Sequence, residues 1–374
     1  MKKRLIALSL ALLLILCVGC KKQEAEPEFV EPTPEVEIEE VVEKTPEPTP
    51  EPTPEPTPEP IARSLTSGAP GEYTYHPMLV MIENSKAARP QTGVQQADIV
   101  YEILAESSVT RFMCLFNDVL PIEAGPIRSC RMYYLAIQKE WDAPIVHYGG
   151  PSTAGKPSYI YSDKYDYIKL RLDGLKNGKY SKYFWRSDDR SAPHNVYTNL
   201  QKMADAEYAY TPNERTQFTF ADEVAYDNAQ SFTYVGMPWN TSNADTTNFT
   251  YNAEDGLLYR AHGETPHKIV TITEDADGKR QSETAQYTCK NLVIQYANTY
   301  VLKNDVKGRK NVDVVGSGEC EYFVGGKYLK GKWVRETEDD STKYFLEDGT
   351  TPVTLLPGNT WIAVHPDNAK ATVK

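Results

Sequence analysis

Four consecutive copies of Thr-Pro-Glu-Pro, running from Thr45 to Pro60, put proline at every second position. Each ring fixes φ near −65° and removes a backbone donor, so neither a helix nor a central strand can form there. What remains open is an extended polyproline II chain, which at about 3.1 Å per residue spans roughly 50 Å over these copies. From Lys21 to about Pro70 the chain is rich in Glu and poor in aromatics. It cannot build a core, and residues 21–71 are expected to be a solvated acidic stalk. Folding is left to the remaining three hundred or so residues, enough for two domains that each bury a core, at 72–210 and 211–374.

Ahead of the stalk, "MKKRLIALSLALLLILCVGC" reads as an export signal over residues 1–20, basic first and then apolar from Leu5 to Leu16. The apolar run is shorter than the roughly 20 residues a bilayer span needs. Its "CVGC" ending resembles the lipobox of bacterial lipoproteins, departing only at Cys17, where that pattern prefers leucine. The resemblance implies that Cys20 is lipidated and holds the chain on the extracellular face of a bacterial cell membrane. Two or three acyl chains give the stable anchoring that one does not. The alternative is an ordinary secreted protein cut nearby.

The formal charge of −12 divides unevenly. The first twenty residues carry +3 and residues 21–62 carry −10, leaving −5 on the rest, so basic clusters there can still attract anions. With Cys17 removed and Cys20 lipidated, Cys114, Cys130, Cys289 and Cys320 remain. An even count in an exported chain permits disulfides, most simply Cys114 with Cys130 and Cys289 with Cys320, and equally permits four buried thiols. No Cys or His spacing points to zinc.

The folded part opens with an apolar strand in "HPMLVMIEN". A hairpin of strands Ile99–Ala105 and Val109–Phe116 is expected next, then a helix over Cys130–Trp141 capped by Ser129, and a short buried strand in "APIVHYGG". A helical segment follows at Leu200–Ala206. Beyond Thr211, alternating runs such as "GLLYRAH", "KNLVIQYANTYV" and "GNTWIAVH" are separated by turn residues. The fold class is therefore an α/β or α+β N-terminal domain followed by a β-rich, sandwich or barrel-like C-terminal domain.

Polar residues gather in a few places. In "GPIRSCR", Arg128 and Arg131 stand at a helix start whose free N–H groups favour an anion; the structural alternative pairs them with Glu123 and Glu140. Asp98, Glu102 and Glu106 recur at a spacing of four, which as a strand puts them on one face beside the strand of Arg111. "FWRSDDRSAPHN" crowds Arg186, Asp188, Asp189, Arg190, His194 and Asn195 into one loop, with His194 a candidate base oriented by Asp188 or Asp189. Arg89 lies in the loop after the first strand, and His147 sits at a strand end, where α/β folds place ligands. Tyr159, Tyr161, Tyr165, Tyr167, Tyr180, Tyr183, Phe184 and Trp185 alternate with Lys164, Lys169, Lys179 and Lys182. Outside a cell that mixture points to glycans rather than nucleic acid, or to tyrosines packed on a sheet. P-loop, GxGxxG, GxSxG and HExxH patterns are absent.

"MIENSKAARPQTGVQQADIVYEILAESSVTRFMCLF", "GPIRSCR", "IVHYGG" and "FWRSDDRSAPHNVYT", followed by "KNLVIQY", "VDVVGSGE" and "GNTWIAV", resemble the YerB-like lipoproteins of Gram-positive bacteria over roughly residues 72–366. The resemblance implies an α/β domain, a β-rich domain and an envelope location, and leaves the activity open. A weaker likeness, to the LytR, CpsA and Psr glycopolymer transferases, implies Asp98 as a magnesium ligand and Arg111, Arg128 and Arg131 as a pyrophosphate clamp. Here Ser129 follows Arg128, where that family has an Arg-Asp pair. The first expectation is a lipid-anchored protein binding an anionic or glycan envelope component through Arg128, Arg131 and Arg190. The alternatives are a magnesium-dependent transferase acting on polyprenyl-pyrophosphate-linked glycopolymers, and an envelope scaffold docking a protein by its sheet edges.

Overall fold

The computed structural model describes residues 61–151, 166–226, 229–239, 246–303, 305 and 307–374. The signal segment, Cys20, the stalk repeats and Tyr159, Tyr161, Lys164 and Tyr165 lie outside them. Order begins earlier than the first strand, because Ser64, Thr66 and Ser67 are already buried. Their hydroxyls donate to Asp98 and Asp118.

The first half supplies β1 (Met78–Glu83), β2 (Ile99–Glu106), β3 (Val109–Phe116), α1 (Met132–Trp141), β4 (Ile145–His147), β5 (Arg171–Asp173) and α2 (Leu200–Glu207). The second half has only strands as its regular elements among the described residues. It supplies β6 (Gln230–Ser231), β7 (Tyr234–Pro238), β8 (Thr246–Asn252), β9 (Leu257–His262), β10 (Lys268–Glu274), β11 (Arg280–Gln286), β12 (Asn291–Ala297), β13 (Gly316–Val324), β14 (Lys327–Arg335), β15 (Lys343–Leu346), β16 (Thr360–Pro366) and β17 (Thr372–Val373). The mixed first half and β-rich second half agree with the expected fold class.

One sheet runs through both halves, in the order β6-β14-β13-β12-β16-β2-β3-β1-β4-β5, with β15 paired to β14. The joint between the halves is a parallel pairing of β16 with β2, Thr360 opposite Ile99 through Val364 opposite Ile103. Separate cores for the two halves are therefore not what forms. β1 and β16 are buried along their whole length, and β2 along all but its last residue. Strands so uniformly apolar must be covered on both faces. On one face α1 packs against Leu79, Met81, Tyr101 and Ile362; on the other, α2 and a second sheet containing β7, β8, β9 and β17 pack against Val80, Val100 and Trp361.

This layering decides the cysteines. Cys114 and Cys289 lie in the core on the α2 side, Cys130 and Cys320 in the core on the α1 side. Each expected pair would have to cross the sheet, and all four are free buried thiols. A bulge between Leu104 and Glu106 also breaks the expected acidic face. It turns Glu106 toward α1, where it meets Arg131, and leaves Glu102 facing the second sheet.

Candidate functional site

β1 ends at the start of α1, and the side chains of "GPIRSCR" collect there. The helix begins at Met132, later than expected, with Arg131 at the capping position. Ser129 does not cap it; its hydroxyl donates to the Tyr148 carbonyl at 3.1 Å. Alternation along the strands brings Arg111 of β3 opposite Glu83 of β1. Both side chains face α1.

Three guanidinium groups meet two carboxylates at this corner. Arg131 pairs with Glu106, and Arg128 Nε lies 3.3 Å from Glu83 Oε2. Arg111 Nη1 donates to the Ser129 carbonyl at 2.6 Å. Burial raises the Glu106 pKa, but the charges of Arg131, Arg111 and Arg128 outweigh it and hold the group below its ordinary value. All three arginines thus act on one carboxylate. The Arg111 pKa is pushed down to about 10, by burial first and then by Arg131. Arg111 and Arg131 are only 5% and 6% exposed, and Arg131 Nε is buried without a hydrogen-bond acceptor. The corner carries an excess positive charge beside the N–H groups of the first turn of α1.

The partners differ from those expected. Glu123 pairs with Arg280 and Glu140 with Arg335. His194 is oriented by Glu83, Nδ1 to Oε1 at 2.9 Å, and not by Asp188 or Asp189. Ser85 also donates to Glu83 Oε1, at 2.7 Å. Neither Glu83 nor Ser85 stood out in the sequence, since a carboxylate at a strand end carries no signature of its own.

Other candidates are structural. Arg190 donates to the carbonyls of Ala87 and Pro90. Arg186 donates to Asn195 Oδ1 at 2.7 Å, and the Asn195 amide donates to the carbonyls of Ser187 and Arg190. These bonds staple the 184–195 loop to itself and to the end of β1. His147 has no exposed surface; its Nδ1 bonds the Gly149 carbonyl at 2.8 Å, and burial lowers its pKa. Lys179 and Lys182 pair with Glu207, and Lys169 with Asp142. The described part of the aromatic and lysine region is therefore a set of ion pairs over Tyr180, Tyr183 and Tyr210 rather than an open basic groove. Trp185 stays exposed beside Lys182, Lys202 and Arg280.

Asp98 does not fit the metal role. Arg111 is opposite Ile103, five residues along β2 from Asp98, or about 17 Å at strand spacing. Asp98 Oδ2 already accepts from Thr66 Oγ1 at 2.7 Å and from the backbone N–H of Asn117 and Asp118. Its neighbour Asp118 is held by Ser64 and Ser67, and no cluster of three metal-ligating side chains occurs among the described residues.

On the opposite face of the sheet, where Asn84 points, a cleft of about 540 Å³ opens between β1, β3 and the second sheet. Arg89 borders it with Lys86, Ser108, Thr110, Thr247 and His262. Below lies a buried polar network joining Glu102, Asn84, Thr110, Gln91, Arg260 and His267. Of these residues only Arg89 and Glu102 drew notice in the sequence.

Comparison with known proteins returns the family of the first resemblance and not the transferases. YerB of Bacillus subtilis strain 168, named as a candidate lipoprotein, is 28% identical over 304 residues, covering 79% of this chain and 83% of the relative. The crystal structure of the YerB protein from Bacillus subtilis superposes with a TM-score of 0.63 at 25% identity, covering 83% of this chain and 99% of that one. Two family models match, the N-terminal domain of a protein of unknown function (DUF3048) at residues 65–212 and its C-terminal domain at residues 235–362. The chain belongs to the DUF3048 family and carries both of its domains.

Proposed function

We propose that this chain is a lipid-anchored protein of the extracellular membrane face that binds an anionic component of the cell envelope at the Arg111, Arg128 and Arg131 corner. The anchor reading rests on the "CVGC" sequence and on the name of the Bacillus subtilis relative. The observation that carries the binding reading is the charge imbalance of three arginines against the two carboxylates of Glu106 and Glu83 among the described residues. Arg128 is the most accessible of the three, its side chain 25% exposed, and is the one an entering oxyanion would meet first. Planar guanidinium groups suit phosphate or carboxylate because they donate two parallel hydrogen bonds. Catalysis is not part of this reading: Asp98 stands at the other end of β2, and the acids at the corner, Glu83 and Glu106, are paired with Arg128 and Arg131.

The test is a thermal-shift titration with pyrophosphate, with and without magnesium, on the chain and on Arg128→Ala. A ligand at one hundred times its dissociation constant adds about 2.7 kcal/mol to stability. Stabilisation that does not need magnesium and is lost in Arg128→Ala is expected. Equal shifts in both proteins would place the anion elsewhere. For the anchor, Cys20→Ser is expected to move the protein from the membrane fraction to the medium, and retention in the membrane would refute lipidation at that residue.

A further inference from the structure

We propose that the cleft on the α2 side of the sheet is a second binding site, for a sugar carrying an oxyanion, either carboxylate or phosphate. It lies on the other face of the sheet from the arginine corner, since Glu83 and Asn84 point to opposite faces, and the two meet at the end of β1, where Ser85 lines the cleft and donates to Glu83.

Charge is the first argument. The described residues lining the cleft include Lys86 and Arg89 and no carboxylate. The acids behind the lining are paired: Glu102 is fully buried against Arg260, and Glu83, which accepts from the Ser85 hydroxyl, is paired with Arg128. The described lining therefore favours an occupant that brings negative charge.

Hydrogen-bond accounting gives the second. Arg260 Nη1 donates to His262 Nε2 and to His267 Nδ1. A nitrogen that accepts from a guanidinium carries no proton, so the neutral His262 ring keeps its proton on Nδ1. Burial, followed by the charges of Arg260 and Arg89, holds the His262 pKa far below its ordinary value. His262 thus lines the cleft as a neutral ring. Asn84 is spent in the wall: its amide donates to Glu102 and Thr110, and its oxygen accepts from Arg89 and Gln91. Thr247 Oγ1 accepts from Trp239 and Arg260. The wall is held by its own hydrogen bonds, and the charge its described residues carry is positive, from Lys86 and Arg89.

Size gives the third. About 540 Å³ is far more than a bare oxyanion fills and lies in the ordinary range for small organic ligands. Ser85, Ser108 and Thr110 put hydroxyl oxygens along the lining, those of Ser85 and Thr110 with their protons already given to Glu83 and Glu102, and such a lining matches the body of a sugar better than an apolar tail.

The experiment is calorimetric titration of the chain with glucuronate, glucose 6-phosphate, glucose and inorganic phosphate, repeated on Lys86→Gln and Arg128→Ala. Binding of at least one charged sugar is expected, weakened at least tenfold by Lys86→Gln, a loss of about 1.4 kcal/mol or more, because a charge-assisted hydrogen bond is removed. Arg128→Ala is expected to leave it unchanged, which separates this site from the arginine corner. Which charged sugar binds more tightly distinguishes the carboxylate from the phosphate source. The proposal is overturned if neither charged sugar binds at millimolar concentration, if glucose binds as well as they do, or if inorganic phosphate matches glucose 6-phosphate. Loss of binding in Arg128→Ala with none in Lys86→Gln overturns it as well.

Discussion

Glu102 and Arg260 stand 158 positions apart in the chain and meet with no exposed surface on either, Arg260 Nη2 lying 2.8 Å from Oε1 and 2.9 Å from Oε2. The pair joins the two halves across the space between the large sheet and the second sheet. Its surroundings complete it: Thr110 and Asn84 donate to Glu102, and the guanidinium lies over Trp361, 4.6 Å from the ring centroid. Two charges can remain in such a place because each oxygen and most of the donors are met.

Removing one partner of a buried pair costs more than the pair contributes, since the survivor is left charged in a poor solvent. Glu102→Leu is therefore expected to destabilise the protein by about 3–5 kcal/mol in urea denaturation. The double variant Glu102→Leu/Arg260→Met should cost clearly less than the two single changes added together. Additive costs would show that the two side chains are not coupled.

Asp98 makes stability depend on pH. Burial, with Asp118 second, raises its pKa from the ordinary 3.8 to about 7 in the folded chain. A carboxyl that binds its proton more tightly when folded favours folding at low pH. Its contribution is complete below pH 3.8 and is lost as pH rises through about 7. The loss is at most about 1.4 kcal/mol per pH unit. Asp98→Asn keeps an oxygen for Thr66 and for the two backbone donors but cannot titrate. The stability difference between the variant and the parent is expected to grow from pH 5 to pH 8. Parallel curves would mean that Asp98 is not the group responsible.

The neighbourhood of these residues shows how far a sequence carries. In "GLLYRAH", alternation puts Arg260 on the same side as the buried Leu258, so its inward direction is readable. Its partner is not, because nothing local marks Glu102 as the acid that meets it. The spacing of Asp98, Glu102 and Glu106 predicted one face, and one extra residue in β2 defeated it. A bulge leaves no trace in a period. "GPIRSCR" did gather its arginines as its composition promised, while the acids that hold them arrive from β1 and β2 by long-range pairing. The β-rich character of the second half was legible from its turns, and the shared sheet was not, since β16 joins β2 from the far end of the chain.

Thiol chemistry tests the layering of the sheet. Burial raises the pKa of all four cysteines, that of Cys130 to about 12. Thiolate is the reactive form, so Cys114, Cys130, Cys289 and Cys320 should be silent toward an aromatic disulfide reagent in the native protein. All four should react once denaturant is added. Fewer than four reactive thiols in unreduced, denatured protein would reveal a disulfide and contradict the separation of each pair by the sheet.

Gly331 sits in β14 between Cys320 of β13 and Leu346 of β15. A methyl group there would be driven into the Phe345 carbonyl oxygen and the Tyr322 ring. Neither neighbour moves easily, since the first is backbone of a paired strand and the second is held by hydrogen bonds from its hydroxyl to the carbonyls of Lys332 and Phe345. Gly331→Ala is expected to cost about 1–3 kcal/mol or to part β14 from β15. Gly178 provides the control, for its turn is exposed and nothing lies within 4 Å of the position a methyl would take. Gly178→Ala should be neutral or should gain about 0.4–1 kcal/mol by restricting the unfolded chain. The two variants make the same chemical change, so the difference between their urea midpoints measures the close approach at β14 alone. Equal midpoints would mean that β15 does not lie where this fold places it.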